Sequence, residues 1–268
     1  MPVRSLTAYA QTTNMFESKP LGYLELYELY FSKMMDEKVK LLELGVSNGQ
    51  SMHMWKNYFD KGTIAGLDLF PKYQSDETHP EQDRVKIYQG SQTDLALLDK
   101  IAQECAPDGF DIIVDDCSHI GELTKLSFWH PFAHHLKPGG VYAIEDWGTG
   151  YWGGYRNPYY PDGEFFDPTE RETFAHWLAN KILKSAPVEW RETGRLQKLL
   201  KRFQYTRRFK GHDYGMVGFV KQLVDEVGVS DYTNPMGIRR QTHPPITYRR
   251  PYFAHVLYGP GVVLVTKA

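Results

Sequence analysis

The chain is short of cysteine, of net charge and of long apolar runs, and each shortage excludes a class of protein. Cys105 and Cys117 are the only cysteines in 268 residues, and neither has a C-x-x-C partner, so this is no disulfide scaffold. The net charge of −2 and an isoelectric point near 6.6 give no general attraction to nucleic acid. No apolar stretch follows a basic start at the N-terminus, and no apolar run approaches bilayer length. A soluble, cytoplasmic protein without a membrane partner is the expectation. The G-x-G-x-x-G of dinucleotide folds is missing, as are internal repeats, low-complexity linkers and the glycines of a nucleophile elbow around Ser118.

Hydrophobic residues make up 41% of the chain, enough for a real core, and the length suits one large domain or a domain with a lid. Short apolar runs alternate with helical periodicity. Residues 21–35 read as a helix, 40–44 as a strand, 51–59 as a helix and 63–68 as a second strand. A third strand is expected over 84–88. A helix over 95–105 follows, capped by Thr93 or Asp94. Residues 110–114 form a fourth strand, 122–135 a helix, 137–140 a turn and 141–144 a fifth strand. Helices are also expected over 168–184, 191–209 and 217–227, with a closing hairpin over 252–258 and 262–266. This rhythm predicts a Rossmann-like, doubly wound α/β fold. Its sheet is mostly parallel, with a C-terminal antiparallel hairpin and a helical or loop substrate lid. Such sheets bind ligands at the carboxyl ends of their strands.

The chemistry gathers at those ends. The fourth strand runs into Asp115 and Asp116, with His119 three residues beyond, and the fifth runs into Glu145 and Asp146. Two strands that deliver carboxylates to one sheet edge can build a hard-cation site with a base beside it. Two adjacent carboxylates repel one another there without a cation. The turn Glu43-Leu-Gly45-Val-Ser-Asn-Gly49 joins the first strand to a helix and lets a ligand approach the backbone. Asp68, at the end of the second strand, can accept two hydrogen bonds from ribose hydroxyls. The turn of residues 90–94, which includes Gln92, would line an adenine. The aromatic stretch from Trp147 to Phe166 is either a surface loop pinned by its rings or a stacking surface for a sugar, and its start at the acidic pair favours the second. The basic stretch from Arg191 to Lys210 reads as a solvated helix face before an anion or oligomer contact. His130, His134 and His135 lie on one helix without a sensible third ligand and read as surface residues.

The segments LLELGVSNGQSMHMWKNYF, GTIAGLDLF, FDIIVDDCSHI and LKPGGVYAIEDWGTGYW resemble the class I S-adenosylmethionine-dependent O-methyltransferases that act on macrolide deoxysugars. They also resemble cephalosporin hydroxylase-like relatives and actinobacterial polysaccharide methyltransferases. The similarity runs from about Gly22 to Trp152, and residues 155–210 match nothing recognisable. The resemblance implies S-adenosyl-L-methionine and Mg2+ as cofactors. It implies a metal held by Asp116, Glu145 and Asp146, with His119 as general base. It places the methyl donor against Glu43, Gly45, Gly49, Ser51, Asp68, Gln92 and Asp115, and a sugar-containing small molecule or oligosaccharide against Trp147, Tyr151 and Trp152. Residues 1–39 are expected to be an N-terminal helical, oligomerisation and lid segment, with Tyr23, Tyr27, Tyr30 and Phe31 as a subunit contact in a homo-oligomer. Residues 40–268 are the expected methyltransferase domain, with 147–215 as its substrate-binding insertion. The competing readings are an NAD(P)-dependent nucleotide-sugar or small-molecule oxidoreductase and a non-catalytic assembly partner.

Overall fold

The computed structural model describes residues 4–13, 19–73, 84–151, 181, 215–229 and 252–268. Helices α1 (Leu6–Thr13) and α2 (Leu21–Phe31) precede strand β1 (Lys40–Leu44). Helix α3 (Gln50–Tyr58) leads to β2 (Thr63–Asp68), then come β3 (Val85–Gln89) and α4 (Leu95–Cys105). Strand β4 (Phe110–Asp115), helix α5 (Gly121–His134) and β5 (Leu136–Glu145) follow. After helix α6 (Gly215–Val229), β6 (Phe253–Tyr258) and β7 (Val262–Lys267) close the fold.

The seven strands lie in the order β3-β2-β1-β4-β5-β7-β6. The first five pair in parallel, and β7 runs antiparallel between β5 and β6. The expected doubly wound sheet and C-terminal hairpin are therefore present. The apolar runs are continuous because a central parallel strand is covered on both faces. One face packs on α4, α5 and α6 through Leu98, Ile101, Phe128, Phe132, Phe219 and Leu223. The other packs on α1, α2 and α3 through Leu6, Leu24, Tyr27, Phe31 and Trp55. Asp94 caps α4, accepting from the Leu97 N–H at 3.1 Å, an interaction worth about 1 kcal/mol.

Two expectations need correction. Residues 137–140 do not separate a helix from a strand as a free turn; they lie inside β5. Phe110 pairs with Leu136 and Ile112 with Val141, so the extra residues of β5 bulge out of the ladder, with Gly139 at a φ of 76°. The aromatic stripe of α2, expected as a subunit contact, turns three of its four rings inward and leaves Tyr30 partly exposed. Tyr23, Tyr27 and Phe31 are buried inside the chain, where Tyr27 and Phe31 pack against Trp55. Their ring area is spent on the core.

The sequence order reverses between β1 and β4, and the crevice at their carboxyl ends holds the site. The turn after β1 and the first residue after β4 cross there in close contact. Gly45 has a φ of 94°, and a Cβ on it would overlap the Asp116 carbonyl oxygen. At Gly49 a Cβ would strike the Tyr73 ring. Only glycine satisfies both demands.

Candidate active site

Strand parity decides which acids meet. Side chains alternate between the faces of a sheet. Glu43 shares a face with Leu41, Asp116 with Ile112 and Val114, and Glu145 with Val141 and Ala143, and the apolar members of this set pack toward α1–α3. The three carboxylates thus converge beneath α2, each offering an oxygen within 4.8 Å of the others. Asp115 has the opposite parity, with Ile113, Tyr142 and Ile144. Its carboxylate faces α5. It accepts from Ser127 Oγ at 2.6 Å and Tyr142 Oη at 3.0 Å. Burial raises its pKa to about 6, against the opposing pull of those two hydrogen bonds.

Lys19 was not singled out in the sequence, yet it stands at the centre of the acidic group. Its ammonium donates to Asp116 Oδ2 and Glu145 Oε1, both at 2.7 Å, and lies 3.0 Å from Glu43 Oε1. The side chain is 1% exposed. Burial alone would disfavour the charged amine, but the carboxylates of Asp116, Glu145 and Glu43 outweigh it and hold the pKa well above the usual range. Burial also raises Glu145, reinforced by Asp116 and opposed by Lys19, and it raises Glu43 with Lys19 again opposing. Both Glu43 oxygens are buried without a well-aligned hydrogen bond. Ser51, buried in the first turn of α3, lies beside Glu43 and favours its charged form.

Helix α2 completes the roof. Tyr27 Oη donates to Glu145 Oε1 and Tyr23 Oη to Asp146 Oδ1, each at 2.6 Å. Lys19, Tyr23 and Tyr27 recur every four residues, which is one face of a helix and its approach. That spacing was the one signal that could have joined them. It does not reveal their partners, which lie 97 to 126 residues away.

A second group opens toward solvent. His119 Nε2 lies 3.8 Å from Asp116 Oδ1 and 3.6 Å from Asp146 Oδ2. These separations are too long for hydrogen bonds and leave the imidazole within reach of a bound proton or ion. His119 has a φ of 56° and Asp146 a φ of 53°. Left-handed backbone is costly for such residues and clusters where function demands it. Asp116 bridges the two groups, one oxygen toward each.

Around the glycine turn, Asp68 Oδ2 accepts from the Val46 and Ser47 N–H groups at 2.9 and 2.8 Å, and Oδ1 from Phe70 N–H at 2.8 Å. The residue expected to hold ribose therefore also shapes the turn. Gln92 is buried. It donates to Ser127 Oγ at 2.9 Å and accepts from Ser118 N–H at 3.1 Å, which ties the 90–94 turn to the loop bearing His119. Trp147 Nε1 donates to the Gly259 carbonyl at 3.0 Å, anchoring the start of the aromatic stretch to the β6–β7 turn. Tyr151 ends the 3-10 turn of residues 147–151. Trp152, the rest of the aromatic stretch, the basic stretch 191–210 and the helix expected over 191–209 lie outside the described residues, as does most of that expected over 168–184. His130 and His135 do have a third partner. Asp99 on α4 meets both Nε2 atoms with one oxygen at 2.6 Å.

The donors around Asp116 suit a hard divalent cation. They are carboxylate oxygens, two of them on adjacent strands. Glu43, Asp116 and Glu145 also carry more negative charge than one ammonium offsets, and Glu43 is left without an aligned partner. Among the described residues no helix is long and apolar enough to cross a membrane.

The order of the sheet and the acidic crevice at its switch point define the class: a Rossmann-like fold of the methyltransferase type. No family model matches the chain. Among curated proteins it is 39% identical over 136 residues to mycinamicin VI 2''-O-methyltransferase of Micromonospora griseorubida, covering 48% of this chain and 32% of that protein. It is 38% identical over 136 residues to demethylmacrocin O-methyltransferase of Streptomyces fradiae, with the same coverage. The match therefore spans about a third of each relative's length. The solved structure of MycE methyltransferase in complex with Mg, SAH and mycinamycin VI superposes with a TM-score of 0.61 at 25% identity, over 98% of this chain and 53% of that one.

Proposed function

We propose that this chain is an S-adenosylmethionine-dependent O-methyltransferase that methylates a sugar hydroxyl. Mg2+ would be held by Asp116, Glu145 and Asp146, with His119 as the base. The observation that carries this reading is a pair of carboxylate groups that share Asp116 at the carboxyl ends of β4 and β5, one with Glu145 and Glu43 and the other with His119 and Asp146. The similarity to sugar O-methyltransferases supports it, and the missing dinucleotide fingerprint counts against the oxidoreductase alternative.

Asp116, Glu145 and Asp146 would hold the ion, whose positive charge would make an acceptor hydroxyl more acidic. His119 would receive the hydroxyl proton at Nε2, where the carboxylates of Asp116 and Asp146 would stabilise the imidazolium. The glycine turn and Asp68 hold the methyl donor, with Ser51, Gln92 and Glu43 bracing the loops around it. Asp115 acts through Ser127 and Tyr142 as a positioning residue for α5. The remaining demand is alignment of the acceptor oxygen with the transferred methyl, which fixed loops meet by orientation. We assign residues 40–268 to the catalytic domain. Residues 147–215, with Trp147, Tyr151 and Trp152, are assigned to the acceptor, a glycoside of a natural product or a polysaccharide end. Self-association into a homo-oligomer belongs to the same reading and is measured by light scattering.

The direct test is methyl transfer from labelled S-adenosylmethionine to a panel of deoxysugar glycosides, on metal-stripped protein with and without Mg2+. Transfer that requires Mg2+ and stops with excess EDTA is expected. Full transfer in EDTA would remove the metal from the mechanism.

A further inference from the structure

We propose that Lys19 is a built-in competitor of the divalent ion: its ammonium occupies the carboxylate position that the ion must take, and metal loading expels it. The inference rests on the metal reading above and concerns a residue that reading does not use. Three observations carry it. The ammonium lies 2.7 Å from Asp116 Oδ2 and from Glu145 Oε1 and 3.0 Å from Glu43 Oε1, so it is held by two of the three proposed ligands. Lys19 and Glu145 are each 1% exposed and Glu43 is fully buried, so water screens a second cation placed beside the first poorly. Neither Glu43 oxygen has an aligned hydrogen bond, although a buried carboxylate ordinarily secures such partners.

The ammonium donates to Asp116 and Glu145, while Glu43 Oε1 lies 3.0 Å away as an ion pair without hydrogen-bond alignment. A divalent ion takes the same oxygens at about 2.1 Å for Mg2+ and offsets twice the charge. Both cations cannot lie between the same two oxygens. Lys19 precedes α2 directly, and Tyr23 and Tyr27 of that helix donate to Asp146 and Glu145. Departure of the ammonium therefore loosens the approach to α2 while the two hydroxyls keep the helix over the site. The metal-free protein is thereby spared three facing carboxylates with no counter-charge, at the expense of metal affinity.

The test is Mn2+ binding, followed by electron paramagnetic resonance and calorimetry, on wild type and on Lys19→Met. Affinity in Lys19→Met should be at least about tenfold tighter, because the ion no longer displaces a like charge. A second measurement uses wild type alone and so survives a variant that fails to fold. Acetic anhydride labelling read by peptide mass spectrometry should leave Lys19 protected in EDTA and label it severalfold more at saturating Mn2+. Equal affinities, or a Lys19 that stays protected when Mn2+ is bound, would overturn the proposal and place the ion on the outer group of Asp116, His119 and Asp146. If wild type and variant both fail to bind Mn2+, the metal reading falls and the competition with it.

Discussion

At the scale of single residues, the site separates side chains that touch reactants from those that hold the touching ones in place. His119 belongs to the first kind. Its Nε2 is free of hydrogen-bond distances to Asp116 and Asp146 yet faces both. His119→Ala should lower kcat by about 10²–10⁴-fold, the usual cost of losing a general base, with SAH affinity by calorimetry nearly unchanged. Loss of bound metal in proportion to activity would instead make the imidazole a ligand. Asp68 belongs to both kinds, since its carboxylate accepts from Val46, Ser47 and Phe70. Hydrogen bonds to a charged group are worth about 1.5–3 kcal/mol each, so Asp68→Ala should weaken cofactor binding by more than about tenfold. It should also lower the urea midpoint, because the turn loses its brace even without ligand. A variant with weakened binding and unchanged stability would show that the three backbone contacts contribute nothing to the fold.

At the scale of elements, helices are tied to one another by charge as well as by packing. Asp99 of α4 accepts from His135 and His130 at the C-terminal end of α5, and those hydrogen bonds hold its pKa below the ordinary carboxylate range. A carboxyl depressed in the folded state contributes stability above its unfolded pKa of about 3.9, and that stability is lost as pH falls through the folded value. Asp99→Asn should therefore lower the urea midpoint at neutral pH, and the gap to wild type should close in acid below about pH 3.9. A gap of equal size at both pH values would assign the effect to packing. Helix α2 depends on long-range partners in the same way. The aromatic pattern that suggests an exposed contact surface serves the core through Phe31 and Trp55 and the site through Tyr23 and Tyr27.

At the scale of the whole molecule, the sheet keeps two tasks apart. The face under α1–α3 carries the carboxylates beside its apolar residues, and the face under α4–α6 carries the larger continuous ring cluster. Phe128 is fully buried there and contacts the rings of Trp129, Phe132, Tyr142, Phe219 and Phe253. Phe128→Ala should cost about 3–5 kcal/mol through lost contacts and the cavity left behind. Calorimetry should show the melting temperature falling by roughly 10 °C while Mn2+ binds with unchanged stoichiometry. Loss of the metal site in a folded variant would show that the two faces are coupled.

What the sequence determined by itself is the local and the periodic. Apolar runs bounded by glycines and acids marked the strands from β1 to β7, Asp94 marked the start of α4, and the acids at strand ends marked the functional edge. These features depend on neighbours a few residues away, so their physics is written in short windows. The divergence of Asp115 from Asp116 follows from strand alternation and was legible in principle, although the pair read as one unit. The role of Lys19 was not legible. A lysine before a helix is ordinarily solvated, and its desolvation is offset by Glu43 and by carboxylates 97 and 126 residues further along the chain. Asp99 as the third partner of two histidines and the interior placement of the α2 aromatics are of the same kind. Tertiary structure decided them, because a buried charge or ring takes its meaning from what the fold brings against it.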